Sequence, residues 1–409
     1  MNRWILVLAL SVSPACFAFE DFPTLDAAQF APPDLLSGPH FKVAPQVTID
    51  GYMAKFEMET DYGPLTARGT EMLRVRVREM PAIAELSDVS QTKAFTDAAA
   101  KSAMVPVDFA KNLATDPKQT MNSVANGVGA LFASAGRAVK QGSEYVSDKA
   151  TDSGTKSTSE SSGGSFNDDP IGYNKAKREW AKKLGVDPYS TNPVLEQKLS
   201  AAAQASFAGG FAVGLAVGAV IGPAQYAVSL DESTRDAVWD KSPGELEAIN
   251  EAKLQEMGIS GRPVRDFLRT PSFTPTLSTA LVSALKSLPN VRGGASIVVM
   301  ASQAQSEVQA RFMVHALQLL ALYEKRGTRI AEIRVSGRVP VGVTGAGFVV
   351  VPAAIDYVPW TEQVAGFANR KELAGKGHLL LLTGTLSPEA KKEFATRGWK
   401  VEEGVQLQS

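Results

Sequence analysis

Four glycines recur at every fourth position in the middle of the chain, within an uncharged stretch over residues 206–230. They are Gly210, Gly214, Gly218 and Gly222. On a helix, a spacing of four places these residues in one groove, where the backbone of a partner can approach closely. Glycine costs about 1 kcal/mol relative to alanine in a helix interior, so this regular placement favours close packing. The sequence therefore predicts a glycine-stepped helix, or glycine zipper, over residues 206–230.

The use of this helix is open between three alternatives. A stretch of about 25 residues is long enough to cross a bilayer. The flanking charges argue against a transmembrane helix that follows an export signal. Such a helix should be followed by lysine and arginine, whereas here lysines such as Lys198 precede the stretch and acidic residues follow it from Asp231 onward. The helix could instead pack within a soluble helical region, for example against a helix expected over residues 295–325, or join several chains.

The first residues are typical of an export signal. Arg3 precedes a short apolar run over residues 4–12, and small residues follow, so we expect a signal peptide over residues 1–18 with cleavage after Ala18. Cys16 is the single cysteine, and its surroundings faintly resemble a lipoprotein box. Cleavage after Ala18 would leave a mature chain with no disulfide and no thiolate chemistry. This pattern favours a bacterial periplasm or the periphery of an outer membrane, with secretion as an alternative.

The charge balance limits the class of partner. The formal net charge is −1. No general attraction to nucleic acid is therefore expected, since such binding depends on basic surface charge. A protein partner, self-association or a membrane remains as the expected contact.

Changes in hydrophobic period and composition predict an α+β chain with a small N-terminal antiparallel sheet, a mainly helical middle and a C-terminal α+β domain. After the signal peptide we expect an extended arm (19–42), a small β-sheet domain (43–90), a helical segment (91–150), a disordered Ser/Gly/Thr linker (151–169), a helical domain (170–326) and the C-terminal domain (327–409).

One predicted strand carries a row of arginines. Leu73, Val75 and Val77 alternate with arginine, a period of two that is typical of a strand with one wet face. The arginines are then expected to pair with Glu57 and Glu59 on a neighbouring strand.

Local signals also predict the elements of the C-terminal part. Strands are expected over residues 328–336, 339–343, 348–355, 378–382 and 399–403, with helices over 361–373 and from Ser387 onward. The glycines Gly342, Gly345 and Gly347 lack a following helix and a P-loop lysine, so they indicate a hairpin turn.

No motif predicts catalysis, a metal or a cofactor. The histidines are His40, His315 and His378, and no two stand at ligand spacing. His315 lies on an apolar helical stripe and is expected to be a hydrogen-bonded core histidine. A serine hydrolase whose catalytic residues lie far apart in the sequence stays an alternative, although no GxSxG motif identifies its nucleophile.

A short acidic and aromatic group follows one of the C-terminal strands. Asp356, Tyr357 and Trp360 could line a ligand cleft. The simpler interpretation is a turn that leads into the next helix, with Thr361 at or near its N-cap.

Together these patterns predict an exported, non-catalytic interaction or scaffold protein of the cell envelope, in which the small-residue helix serves for packing or docking. A membrane-inserting or pore-forming secreted protein is the first alternative, and a periplasmic hydrolase is the second.

Overall fold

The computed structural model describes residues 19–101, 172–209 and 230–407. The predicted signal peptide, the predicted linker and nearly all of the glycine-stepped stretch lie outside these residues. The described residues form an N-terminal antiparallel sheet, a helical middle and a C-terminal mixed sheet with helices. The predicted α+β class is confirmed.

The N-terminal sheet is antiparallel throughout. Its strands are β1 (Thr24–Asp26), β2 (Ser37–Gly38), β3 (Phe41–Val43), β4 (Gln46–Asp50), β5 (Met53–Thr60) and β6 (Leu65–Arg68). The order is β1-β4-β5-β3-β2, and β6 also pairs with β5. Ala54, Phe56 and Met58 alternate with partly or fully exposed residues along β5, so one face of that strand enters the core.

Residues 19–42, expected to form an extended arm, contribute to this sheet. β1 pairs with β4, and β2 pairs with β3. A 3-10 turn (Ala27–Gln29) and a short helix α1 (Pro33–Leu36) connect β1 to β2. Ala27 and Leu35 of these connections are buried, and their burial fixes the segment against the sheet.

The predicted strand with the arginine row is wrong, because residues 70–91 form a helix. Its buried residues recur at helical spacing: Met72, Leu73, Arg76, Glu79, Met80, Ile83 and Leu86. The arginines accordingly pair within the helix, Arg74 with Glu71 and Arg76 with Glu79, rather than across strands.

Helices make up most of the middle of the described chain. They are α2 (Thr70–Gln91), α3 (Lys93–Lys101), α4 (Tyr173–Leu184), α5 (Pro193–Gly209), α6 (Glu232–Asp240), α7 (Pro243–Glu256), α8 (Arg262–Leu268), α9 (Pro275–Lys286), α10 (Gly294–Ala301) and α11 (Glu307–Lys325). None of the helices within the described ranges combines the length and the apolar character needed to cross a membrane.

Local capping explains several of these boundaries. Asn192 Oδ1 accepts a hydrogen bond from the backbone N–H of Val194 and caps the start of α5. The single helix expected over residues 295–325 is wrong. Ser306 Oγ accepts from the N–H of Gln309 and begins α11 as a separate helix after α10 ends at Ala301.

The C-terminal domain is built on a five-stranded sheet. Its strands are β7 (Ile330–Ser336), β8 (Val339–Thr344), β9 (Phe348–Ala353), β11 (Gly377–Leu382) and β13 (Trp399–Glu402). The order is β13-β11-β9-β8-β7. The pairs among β9, β11 and β13 are parallel, whereas β8 is antiparallel to both of its neighbours.

Smaller elements complete this domain. A parallel pair, β10 (Tyr357–Val358) and β12 (Thr385–Leu386), accompanies helices α12 (Glu362–Ala368) and α13 (Pro388–Thr396). The helix expected over 361–373 is shorter, since α12 ends at Ala368 and a 3-10 turn (Lys371–Leu373) follows. The predicted hairpin turn is confirmed, because Gly347 donates its N–H to Thr344 O between β8 and β9.

The five-stranded sheet is covered on both faces. Val350 and Leu381 belong to the core shared with α11, whereas Val349 and Leu380 belong to the core shared with α13. Because neighbouring residues of a strand point to opposite faces, this division makes the domain a three-layer α/β/α arrangement.

Candidate functional site: the junction around Asp356

Asp356 joins the N-terminal sheet to the C-terminal domain. One carboxylate oxygen, Oδ2, accepts hydrogen bonds from the N–H of Ala54 at 2.9 Å and from the N–H of Thr70 at 3.2 Å. Its own N–H donates to Tyr52 O at 3.0 Å. Burial raises the pKa of this carboxyl, while the backbone N–H groups of Ala54 and Thr70 act in the opposite direction.

The aromatic members of the predicted cleft are also engaged by N-terminal residues. Tyr357 donates its N–H to Tyr52 O at 3.2 Å. Trp360 donates its N–H to Glu20 Oε2 at 2.6 Å, and Glu20 donates its own N–H to Trp360 O at 2.9 Å. The Trp360 ring is 1 % exposed, with the Arg397 guanidinium 4.6 Å from its centre.

The structure therefore brings Asp356, Tyr357 and Trp360 together, and places the chain's own N-terminal residues on them. The Tyr52 hydroxyl lies 3.2 Å from Thr361 Oγ1, and Thr361 Oγ1 accepts from the N–H of Val364. The predicted N-cap at Thr361 is confirmed. Asp356, Tyr357 and Trp360 therefore hold the β4–β5 hairpin and the N-terminal arm against the C-terminal domain.

A small cleft beside Asp356 contains the core histidine. About 30 Å³ of space lies between the start of α2, α11 and the C-terminal sheet, and Glu71, Arg311 and His315 line it with Asp356. A space of this size holds about one water molecule. Burial raises the pKa of the Glu71 carboxyl. His315 is buried as expected, and no serine is among the residues that line the cleft.

The other histidines lie in separate environments. His378 Nε2 is 2.8 Å from Leu373 O, and its ring stacks on Trp399. His40 Nδ1 is 2.8 Å from Asp61 Oδ2 at an exposed position. Within the described ranges, no group of His, Cys, Asp or Glu has the arrangement of a metal site.

A buried ionic network ties α2 to the start of α5. Glu79 Oε2 accepts from Arg76 Nη1 at 2.9 Å and from Asn192 Nδ2 at 2.8 Å, and Ser190 Oγ donates to the other carboxylate oxygen. Arg76 and Glu79 are 7 % and 2 % exposed. Asn192 and Ser190 come to Glu79 from more than a hundred residues away, so no local sequence pattern signals their part of the network.

The same network extends to α11 and α9. Thr191 Oγ1 accepts from Arg76 Nη2 and donates to Glu307 Oε1, which also accepts from Arg311. Nearby, Asp187 Oδ1 accepts from Thr276 Oγ1 at 2.7 Å. Full burial raises the pKa of Asp187 to about 6, and burial lowers the pKa of Arg311 to about 10.

The predicted helix-packing residues Gly210, Gly214, Gly218 and Gly222 lie outside the described residues. The structure does place the beginning of their stretch, since residues 206–209 are the last turn of α5. No protein-family model, no curated protein and no solved structure matches this chain.

Proposed function

We propose that the protein is an exported, non-catalytic interaction or scaffold protein of the cell envelope, with the glycine-stepped stretch as its docking element. The observation that carries this proposal is the position of α5. Its buried side chains, Leu195, Leu199, Ala202 and Ala205, pack in the core, whereas Phe207 is 40 % exposed. The glycine step starts at Gly210, three residues after Phe207.

The neighbours of α5 support the same conclusion. Asn192 contacts Glu79, and the charge of Asp88 acts on Lys198, so α5 runs in the same direction as α2. α3 also packs along α5. Gly172, just before α4, lies against the Phe207 ring.

The described chain therefore resumes at Gly172 beside the last turn of α5. A docking element that begins at the end of a helix packed in the core is oriented by that helix. The non-catalytic part of the proposal is supported by the polar groups around Asp356 and Glu79, which hold elements of the chain together.

The docking role is tested by filling the groove. Gly214→Leu/Gly218→Leu adds bulk on the glycine step, and Val213→Leu/Val217→Leu is the matched control on the same stretch. Each full-length protein is crosslinked in intact cells and sized, and the envelope is then extracted with alkaline carbonate.

We expect a crosslinked species larger than the monomer for the parent and the control, and its loss in the glycine variant. Equal behaviour of all three proteins would overturn the docking role. A carbonate-resistant membrane fraction that the glycine variant alone abolishes would instead favour the membrane-inserting alternative.

A further inference from the structure

An open groove lies between α10 and the far end of β7. It has a volume of about 290 Å³. Val299, Met300 and Met313 supply an apolar floor and wall, and Val335 closes the side formed by β7. Val299 is 40 % exposed, although Met300 and Met313 beside it are buried. Small-molecule pockets span about 300–1,000 Å³, so this groove has room for one or two side chains rather than a large cofactor.

The same groove borders a sheet edge that the described residues leave partly unpaired. β7 is the outermost strand of its sheet. At its start the outer edge is covered, because Ile333 donates its N–H to Arg292 O at 2.7 Å and Arg292 donates to Ala331 O. Alternate residues of a strand present N–H and C=O to the same edge. Val335 therefore faces outward too, and no described residue pairs with its backbone there.

The rim of the groove at the β7–β8 turn is basic. Arg338 lines the groove, and the guanidinium of Arg370 lies against Gly337 in the turn. Among the described residues, neither arginine forms an ion pair with an acidic side chain. Arg334 and Arg292 stand nearby on the β7 edge and share the one carboxylate of Glu332. Cations outnumber anions along this edge, so it is complementary to an acidic ligand.

We propose that this groove binds an extended peptide segment of a partner protein, with one apolar side chain against Val299 and a neighbouring aspartate or glutamate side chain against Arg338. The peptide backbone pairs with Val335 by strand addition, a mode in which backbone hydrogen bonds give affinity and pockets give specificity. This surface is independent of the glycine-stepped stretch, so either assignment can fail without the other.

Binding is measured by fluorescence anisotropy of the full-length protein with a labelled, C-amidated heptapeptide that alternates glutamate with valine. A peptide with lysine in place of glutamate is the charge control. A valine-serine peptide whose only acidic group is its C-terminal carboxylate tests whether the groove binds a chain terminus instead of an acidic side chain. Three variants probe the contacts: Val299→Asp, Arg338→Glu and Val335→Pro. Phe348→Asp and Lys400→Glu place the same changes at exposed positions elsewhere on the sheet.

The expected result is binding of the acidic peptide, with the lysine peptide and each groove variant at least about tenfold weaker, a loss of about 1.4 kcal/mol. Both control variants keep the parent affinity. Val335→Pro removes the outward N–H together with the Val335 side chain that lines the groove, at an edge position where proline is tolerated. Arg338→Glu changes an exposed side chain, so the proposal stays testable if one variant misfolds.

Equal binding of the acidic and lysine peptides would overturn the proposal. So would tighter binding of the free-carboxylate peptide, or retention of affinity in both Val299→Asp and Arg338→Glu. Dimerisation of the parent that Val335→Pro abolishes would assign the edge to a second copy of the chain and would also overturn it.

Discussion

The carboxylate of Asp356 lies 2.9 Å from the backbone nitrogen of Ala54, although the two residues are 302 positions apart in the chain. Through this contact and the neighbouring one to Thr70, a single side chain satisfies one buried and one partly buried backbone donor of the N-terminal part. Long-range pairing of this kind makes the N- and C-terminal sheets depend on one another for stability.

Asp356→Ala is expected to lower the free energy of unfolding by about 2–5 kcal/mol. The variant leaves the buried N–H of Ala54 and the partly buried N–H of Thr70 without an acceptor, at up to about 1–3 kcal/mol each. Urea unfolding measures the change. Asp61→Ala is the control, because its pair with His40 is exposed and contributes at most about 1 kcal/mol. Similar losses in the two variants would contradict the assigned role of Asp356.

Asp187 is expected to make stability fall as the pH rises. Its pKa is raised by burial from the ordinary 3.8 to about 6, so its contribution is fully present below about pH 4 and is lost as the pH passes 6. Asp187→Asn keeps an oxygen for Thr276 and Tyr189 but does not titrate.

Relative to the parent, Asp187→Asn should therefore gain about 3 kcal/mol in unfolding free energy between pH 3.5 and pH 7, from about 1.4 kcal/mol per pKa unit. Chemical denaturation at several pH values measures this difference. A difference that stays constant, or that shrinks toward pH 7, would contradict the raised pKa.

Arg76 and Glu79 are expected to be strongly coupled. Removing either partner alone, as in Arg76→Ala or Glu79→Ala, leaves an uncompensated buried charge and should cost about 3–5 kcal/mol. The double variant should lose clearly less than the sum, and a double-mutant cycle in urea measures the coupling. The exposed pair Lys93 and Asp97 on α3 is the matched control, with coupling below about 1 kcal/mol. Additive losses at Arg76 and Glu79 would contradict the network.

Gly293→Ala is expected to destabilise the fold far more than Gly172→Ala. Both glycines lie in the left-handed region, at φ 91° and ψ 3° for Gly293 and φ 71° and ψ 3° for Gly172, so both alanines suffer a similar backbone strain of about 1–2 kcal/mol. A Cβ at position 293 would stand 2.0 Å from Ile333 O, whereas a Cβ at position 172 would meet only the Phe207 ring at 3.6 Å. Thermal unfolding of the two variants separates strain from collision, and equal melting temperatures would mean that the loop is not packed against β7 as described.

Local capping chemistry made several boundaries predictable from sequence. Asn192, Thr361 and Ser387 each accept a hydrogen bond from an N–H two or three residues further on. All the groups involved lie within one helical turn, so the sequence alone contains the whole interaction.

Helix α2 was mispredicted for a physical reason. Its inward face contains Arg76 and Glu79, which are buried because they neutralise each other and bond to Asn192 and Ser190. A pattern that counts only apolar residues as buried misses them. What remains visible, Leu73, Val75 and Val77, has the period of a strand.

The candidate site was visible in the sequence, but the contacts that it makes were not. Asp356, Tyr357 and Trp360 stood out because acidic and aromatic residues cluster there, yet the residues that contact them, Glu20 and Tyr52, lie more than 300 positions earlier in the chain. The groove at β7 had no sequence signal, since its lining comes from two helices, a strand and a turn.

By itself, the sequence determined the α+β class, the helix caps, the β8–β9 turn and most C-terminal strands, because each depends on residues that are neighbours in the chain. Tertiary structure decided that residues 70–91 form a helix, that the Asp356 group docks the N-terminal arm and that the outer edge of β7 is open at Val335. Each of these depends on which distant groups desolvate and satisfy one another, and that choice is made only when the folded chain brings them together.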